Sequence, residues 1–185
     1  EINSVVGTAN KVLARFARRI FLAYPESRSQ FAAARQGLLD VSGTPVRAAL
    51  GAASALSEAS NTALDARHAR EHFGLDPDRP TILCFGGSLG ARTLNEAVRR
   101  AAPGLVSNGM NILWQTGKSM TPDEARDALH NLPNVRAVEY IYDMEHAYAA
   151  ADLVVCRAGA SSLAELARLG KPAVLVPWSK AAADH

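Results

Sequence analysis

From Thr81 onward the sequence repeats one pattern: a short apolar run, a turn containing glycine or proline, and an amphipathic helical stretch. This alternation is typical of a parallel α/β sheet. The apolar runs lack polar alternation, which indicates strands covered on both faces. The predicted strands are Thr81–Phe85, Asn111–Gln115, Val135–Val138, Leu153–Cys156 and Ala173–Val176.

Helices are predicted between these strands, each beginning near a capping residue or a glycine. They span approximately Ala91–Val106, Pro122–Leu129, Met144–Ala149 and Ser161–Leu169. Strands and helices together predict a Rossmann-like unit with helices on both faces of the sheet and right-handed crossovers. In such a unit, ligands bind where loops leave the carboxyl ends of the strands.

The first fifty residues follow a different pattern. A helix is predicted around Thr8–Arg18, followed by an apolar run at Ile20–Ala23 and a turn-like sequence at Ser42–Arg47. The segment Ala48–Ala66 is rich in Ala and Ser, which suits an interdomain linker followed by a surface helix. The chain begins within a pattern and stops at "SKAAADH" directly after a predicted strand. We therefore expect a piece of a longer unit.

The charge balance argues against nucleic acid as a partner. Lys and Arg number 20 against 18 Asp and Glu, a net charge of +2 that is too small for the basic field of most nucleic-acid binders. One helical stretch does concentrate basic and apolar residues, either as a solvated helix face or as a contact with an anionic membrane surface. Its residues are Lys11, Arg15, Phe16, Arg18, Arg19 and Ile20.

The two cysteines, Cys84 and Cys156, lie inside apolar runs with no second Cys or His at ligand spacing. We expect neither a metal site nor a disulfide, and interpret both as buried small hydrophobes. The sequence has no apolar run of about 18 residues and no layout typical of a signal peptide. These features predict a cytoplasmic protein.

The clearest local motif is "FGGSLGARTLNEAV" at Phe85–Val98, where an apolar run enters Gly86, Gly87, Ser88 and Gly90 and then a helix. A strand, a glycine turn and a helix start together form a phosphate cradle, because glycines allow close approach and free N–H groups donate to an anion. The helix dipole adds about half a positive charge. The alternative is a tight turn that binds no ligand.

A second such turn follows Leu153–Cys156 in the sequence "CRAGASSLAELA". Each polar residue of this turn could either bind a nucleotide or have a purely structural role. The arginine is a phosphate partner or a surface charge, and the serines bind phosphate or cap the helix. The glutamate holds a ribose diol or complements the helix dipole. These residues are Arg157, Gly159, Ser161, Ser162 and Glu165. Neither turn matches the Walker A pattern, so the residues alone indicate a nucleotide or nucleotide-sugar binder.

Five blocks in order closely resemble the MurG family of N-acetylglucosaminyltransferases. They are Glu1–Lys11, Ser42–Arg47, Phe85–Asn95, Glu139–Met144 and Ala151–Trp178. The resemblance covers nearly the whole chain, and it is most specific in the last block and in the Gly-Gly-Ser turn. It implies an α/β fold of the GT-B glycosyltransferase type, in which two Rossmann-like domains face each other across a cleft.

The resemblance also implies the division of the chain and its activity. Residues 1–50 would end an N-terminal acceptor domain, residues 51–80 would be the linker and first helix of the donor domain, and residues 81–185 would form a truncated donor domain. The activity would be inverting transfer of N-acetylglucosamine from UDP-GlcNAc to lipid I, a lipid-linked muramoyl-pentapeptide, forming lipid II for peptidoglycan. It would need no cofactor and would take place peripherally on the cytoplasmic face of the plasma membrane.

By the same resemblance, five residues would contact UDP-GlcNAc. Asn3 and Arg47 would reach it from the interdomain side, and Ser88 would contact its phosphates. Ile141 would meet the uracil through its backbone, and Glu165 would hold the ribose.

This sequence departs from the family pattern at Ile2, Thr44 and Leu89, where the family commonly has Gln, Asn and Gln. The family's glycine-rich loop and basic His would precede Glu1, and its sugar-binding Gln pair would follow His185. We therefore assign no catalytic residue within this chain. We expect it to bind uridine nucleotides only weakly and to turn none over.

The sequence is also compatible with two other functions. A UDP-sugar epimerase of the same architecture would use the same nucleotide cradle and would need acid and base groups, for which Asp143, His146 and His185 are candidates. Solvated helix or terminal positions explain these three residues equally well. A non-catalytic nucleotide-sugar binding subunit would depend on a partner for the other domain. Residues 1–50 argue against the second possibility, since such a subunit should begin at its own first strand.

Overall fold

The computed structural model describes residues 1–48, 50, 65–129 and 132–178. Its strands are β1 Ile20–Leu22, β2 Leu39–Val41, β3 Thr81–Phe85, β4 Asn111–Gln115, β5 Val135–Val138, β6 Leu153–Arg157 and β7 Ala173–Val176. Strands β1 and β2 pair in parallel, and β3 to β7 form a separate five-stranded parallel sheet. All five strands predicted from Thr81 onward are confirmed, and β6 is one residue longer than expected.

The α-helices in the described ranges are α1 Thr8–Leu13, α2 Ala66–His72, α3 Arg92–Ser107, α4 Pro122–Ala128, α5 Met144–Ala150 and α6 Ala160–Leu169. The four helices predicted between the strands of the large sheet are confirmed to within one residue at each end. Short 3-10 helices lie at Pro25–Gln30, Ala33–Leu38 and Gly117–Ser119. No helix in the described ranges is long and apolar enough to cross a membrane.

The first helix is shorter than predicted. It ends at Leu13, and the N–H groups of Arg15 and Phe16 donate to carbonyl groups three residues earlier, which tightens the chain into a turn. The chain must leave the helix here because β1 follows and places Leu22 in a small separate core. Arg15, Arg18 and Arg19 consequently do not share a helix face. Most of the predicted linker at Ala48–Ala66 lies outside the described residues.

The large sheet is doubly wound, with strand order β5-β4-β3-β6-β7. On one face, α3 and α4 pack over a core that includes Cys84 and Trp114. On the other face, α5 and α6, together with Phe73 and Leu75 just after α2, contribute to a core that includes Leu83 and Tyr148. The strand order reverses beside β3, so the crevice expected for ligands in such sheets lies between the carboxyl ends of β3 and β6.

Burial of the strands only partly follows the prediction. Every residue of β3 and β4 is buried, as expected for strands covered on both faces. The expectation is wrong for β7, whose Val174 side chain is 51% exposed, because β7 is an edge strand that no helix of the described ranges covers fully. Burial raises the pKa of the Cys84 thiol to about 12 and that of Cys156 to about 11, so both cysteines are buried thiols as predicted.

One buried amide joins α3 to the end of β4. The Asn95 side chain is fully buried; its Nδ2 donates to the Thr116 carbonyl at 2.7 Å and to Ser119 Oγ at 3.0 Å. Its Oδ1 accepts from the Trp114 indole N–H at 3.0 Å. Because all three groups lie in or beside the core, Asn95 fixes the loop after β4 against the first turns of α3.

Replacing Asn95 with Leu should lower the free energy of unfolding by about 2–4 kcal/mol. The Trp114 N–H would be buried without a partner, and the Thr116 carbonyl would keep only a long bond of 3.5 Å from Ser119 Oγ. Urea denaturation of the purified chain measures this change. Ala97→Ser, at an exposed position of the same helix, should change the same quantity by no more than about 0.5 kcal/mol. Equal stability of the Asn95→Leu and parent chains would contradict this account of the amide.

Candidate nucleotide-binding site

The two predicted phosphate turns lie side by side at one edge of the sheet. β3 and β6 are neighbours, and Phe85 pairs with Cys156, so Gly86 and Arg157 begin adjacent turns at the carboxyl edge. The turns lead to helices on opposite faces, α3 on one and α6 on the other. Ser88 and Gly159 are exposed, so the crevice between the turns is open.

Both helices start with backbone donors available to a ligand. In the described part of the chain no side chain caps α3 at Ala91 or α6 at Gly159, and the same holds for α5. By contrast α4, which begins at the same edge, is closed by a capping box of Thr121 and Glu124. Uncapped N–H groups and aligned peptide dipoles favour an anion at such starts. Ser161 lies in the first turn of α6 and is exposed.

The glycine turn packs directly on the loop that follows β4. A Cβ on Gly90 would overlap the Thr116 carbonyl and the Ser119 hydroxyl, and one on Gly117 would overlap the backbone of Gly90. Both glycines have positive φ values, 77° and 62°. The Lys118 N–H donates to the Ser88 carbonyl at 3.3 Å. Two loops can approach this closely only where both lack side chains.

Gln115 is a residue of this site that sequence reasoning missed. It is 4% exposed at the end of β4. Its Nε2 donates to the Gly87 carbonyl at 3.2 Å, and its Oε1 accepts from the Ile141 N–H at 2.9 Å. One side-chain amide thus ties the first glycine turn to the loop predicted to meet uracil. The only sequence signal was a polar residue at the end of an otherwise apolar strand.

Arg157 lies across the top of the crevice. Its Nη2 donates to Thr93 Oγ1 in the first turn of α3 at 2.8 Å, and its Nη1 donates to the Pro177 carbonyl at 2.6 Å. The guanidinium therefore spans from α3 to the end of β7. It adds positive charge beside the two uncapped helix starts, where a phosphate would bind.

Glu165 is buried and already has two partners. The Tyr148 hydroxyl donates to its Oε2 at 2.9 Å, and Arg47 Nε lies 3.6 Å from its Oε1. Burial and the bond to Glu165 raise the pKa of the Tyr148 phenol, so Tyr148 is a neutral donor. Tyr148 was not predicted because its position on α5 fits a core residue. The predicted pair Arg47 and Glu165 is thus brought together.

The two other residues predicted to contact UDP-GlcNAc, Asn3 and Ile141, each bind another residue of the chain. Asn3 precedes α1, and both its N–H and its side-chain amide donate to Glu1 Oε1. Ile141 is buried, and its N–H donates to Gln115, which leaves its carbonyl for a ligand.

A separate surface groove lies between α3 and α4. It is lined by Arg100, Glu96 and Glu124, among others, and by none of the residues predicted to contact UDP-GlcNAc.

Comparison with known proteins places this chain in a family. The profile described as Glycosyltransferase family 28 C-terminal domain matches residues 81–185. This match covers the whole large sheet, both turns and Glu165. The chain belongs to the glycosyltransferase family 28 C-terminal domain family.

Curated relatives share one name, UDP-N-acetylglucosamine--N-acetylmuramyl-(pentapeptide) pyrophosphoryl-undecaprenol N-acetylglucosamine transferase. The protein from Prosthecochloris aestuarii is 42% identical over 185 residues, which is 100% of this chain and 46% of the relative. The protein from Nocardioides sp. is 44% identical over 177 residues, 96% of this chain and 45% of the relative. The chain therefore spans about half the length of these relatives.

Solved structures agree on the fold. MurG from Acinetobacter baumannii superposes with a TM-score of 0.61 at 30% identity, covering 100% of this chain and 46% of that one. UDP-GlcNAc 2-epimerase from Neisseria meningitidis, bound to UDP-GlcNAc, gives a TM-score of 0.61 at 17% identity over 90% of this chain and 46% of that one. The second likeness shows the fold alone. The chain has an α/β fold of the GT-B type.

Replacing Gly90 with Ala should lower the free energy of unfolding by about 2 kcal/mol, because the new methyl group overlaps the Thr116 carbonyl at a positive φ. Gly104→Ala is the matched control: it lies inside α3 with open space around its Cβ, and should raise that free energy by about 0.5–1 kcal/mol. Urea denaturation of both variants provides the comparison. A neutral Gly90→Ala would show that the close loop contact is not required.

Proposed function

We propose that this chain provides the donor-nucleotide site of an inverting transferase that moves N-acetylglucosamine from UDP-GlcNAc to lipid I, forming lipid II in peptidoglycan synthesis. Family membership and the shared name of relatives about 40% identical support this proposal. Residues 1–50 would then end the acceptor domain, residues 51–80 would link the domains and residues 81–185 would bind the donor. The parent enzyme would act peripherally on the cytoplasmic face of the plasma membrane.

The observation that carries the proposal is the meeting of two uncapped helix starts at the reversal point of the sheet. A pyrophosphate bound there would accept hydrogen bonds from amides of the Gly86–Gly90 turn and from the first turn of α6. Ser88 and Ser161 would add hydroxyl donors. Arg157, held beside Thr93, would pair with a phosphate oxygen.

The nucleoside would lie along the same edge, towards β5. We assign the Ile141 carbonyl to the uracil N–H, because the Ile141 N–H already donates to Gln115. Glu165 would accept hydrogen bonds from the ribose hydroxyls, since a carboxylate can accept more bonds than the two that Tyr148 and Arg47 provide. Asn3 would approach from the acceptor side.

The charge that develops during the transfer reaction supports this assignment of residues to the pyrophosphate and the nucleoside. The acceptor hydroxyl oxygen forms a bond to the anomeric carbon from the face opposite the UDP, and its proton passes to a general base, which the resemblance places before Glu1. The bond from that carbon to the phosphate oxygen breaks, and UDP leaves with its electron pair. Negative charge therefore grows on the pyrophosphate. Preorganised amides, two helix dipoles and Arg157 would stabilise that charge without reorganisation during the reaction. We expect the transfer to need no cofactor.

Titration of isotope-labelled chain with UDP, followed by amide NMR shifts, tests the site. We expect weak saturable binding, with shifts in the two turns and around Ile141. Arg157→Gln should weaken UDP binding at least about tenfold, because a charge-assisted phosphate contact is worth about 1.5–3 kcal/mol. Uridine, which lacks phosphates, should bind the parent chain and this variant equally.

Arg168→Gln is the control, because Arg168 is exposed in the last turn of α6, at the end of that helix away from the proposed phosphate site. Its UDP affinity should equal that of the parent chain. Shifts confined to the groove between α3 and α4, or equal UDP affinity in the Arg157 variant, would contradict the proposed site. Micromolar affinity of the isolated chain would contradict the expectation that it holds only part of the donor site.

A further inference from the structure

Three side chains from two distant parts of the sequence meet where α2 packs against α5. His72 ends α2, Asp143 is the N-cap of α5, and His146 lies in its first turn. One potential ligand atom from each residue lies within 4.8 Å of the others. His72 Nε2 is 2.7 Å from Asp143 Oδ2, and the two imidazole rings stack with centroids 4.7 Å apart.

One atom of this cluster lacks a partner. His146 Nδ1 is inaccessible to solvent and has no hydrogen-bond partner among the described residues. A buried polar atom without a partner costs free energy, and native proteins usually satisfy such atoms with a water or an ion. An ordinary His–Asp ion pair accounts for His72 and Asp143 but leaves this nitrogen unexplained.

We propose that His72, Asp143 and His146 bind a divalent transition-metal ion, with Zn²⁺ as the best fit, and that the ion joins α2 to the start of α5. Two imidazoles and one carboxylate are a donor set that suits Zn²⁺, with a water in the fourth position. Metal bonds of 2.0–2.1 Å place ligand atoms about 3.3 Å apart in a tetrahedron. The cluster reaches this spacing by small side-chain movements, since its ligand atoms already lie within 4.8 Å.

The site is separate from the proposed transfer chemistry. None of its residues is among the predicted phosphate or ribose contacts, although Asp143 follows Ile141 by two residues. A bound ion would fix the loop that carries Ile141 against α2. The proposal therefore does not rest on the proposed function, and its test uses the metal alone.

Calorimetric titration of the tag-free chain with Zn²⁺ should show saturable binding of one ion per chain. The thermal unfolding midpoint should rise with added Zn²⁺. Co²⁺ in the same site should give the visible absorption of a tetrahedral N/O complex. His72→Gln and His146→Gln should each lower Zn²⁺ affinity at least about tenfold and abolish the Co²⁺ spectrum. His68→Gln is the control, because His68 lies on the same helix with its side chain 80% exposed.

Equal Zn²⁺ affinity in the parent, His72→Gln and His146→Gln chains would overturn the proposal. Absence of saturable Zn²⁺ binding by the parent chain would also overturn it. Circular dichroism of the metal-free variants checks that they remain folded. If either His variant fails to fold, Asp143→Asn decides the question, since its side chain is 44% exposed and its loss should lower affinity without unfolding the chain.

Discussion

The reversal of strand order beside β3 is the constraint on which the candidate site depends. Strands added from β3 towards β5 carry their helices on one face, and those added from β6 to β7 carry them on the other. The turns that follow β3 and β6 therefore leave the same edge of the sheet towards opposite faces, and a crevice opens between the starts of α3 and α6. The site follows from chain topology before any particular side chain is considered.

Packing and the proposed ligand binding share the same residues in this crevice. Gly90 and Gly117 are required for the close approach of two loops, and Gln115 holds the glycine turn and the Ile141 backbone together. A tight turn and a phosphate cradle, which the sequence presents as alternatives, are compatible here. The packing that demands glycine also orients the exposed amides, and Asn95 fixes the same loop from the core side.

The large sheet was predictable because buried parallel strands form continuous apolar runs, and the turns because glycines punctuate them. Predictions from the local sequence pattern were wrong where tertiary packing determines the structure. The helix α1 ends at Leu13 because the chain turns to bury β1, and β7 is exposed because it is an edge strand. Gln115 and Tyr148 could not be identified as site residues, since their partners lie 26 and 17 positions away. His72 and Asp143 are 71 positions apart and meet only when α2 packs on α5.

We propose that backbone amides of two adjacent helix starts together bind one pyrophosphate, and a crystal structure of the chain with UDP would test this arrangement. We expect phosphate oxygens within hydrogen-bonding distance of amides in both the Gly86–Gly90 turn and the first turn of α6, with the Arg157 guanidinium against them. A pyrophosphate bound to only one turn, or in the groove between α3 and α4, would contradict it.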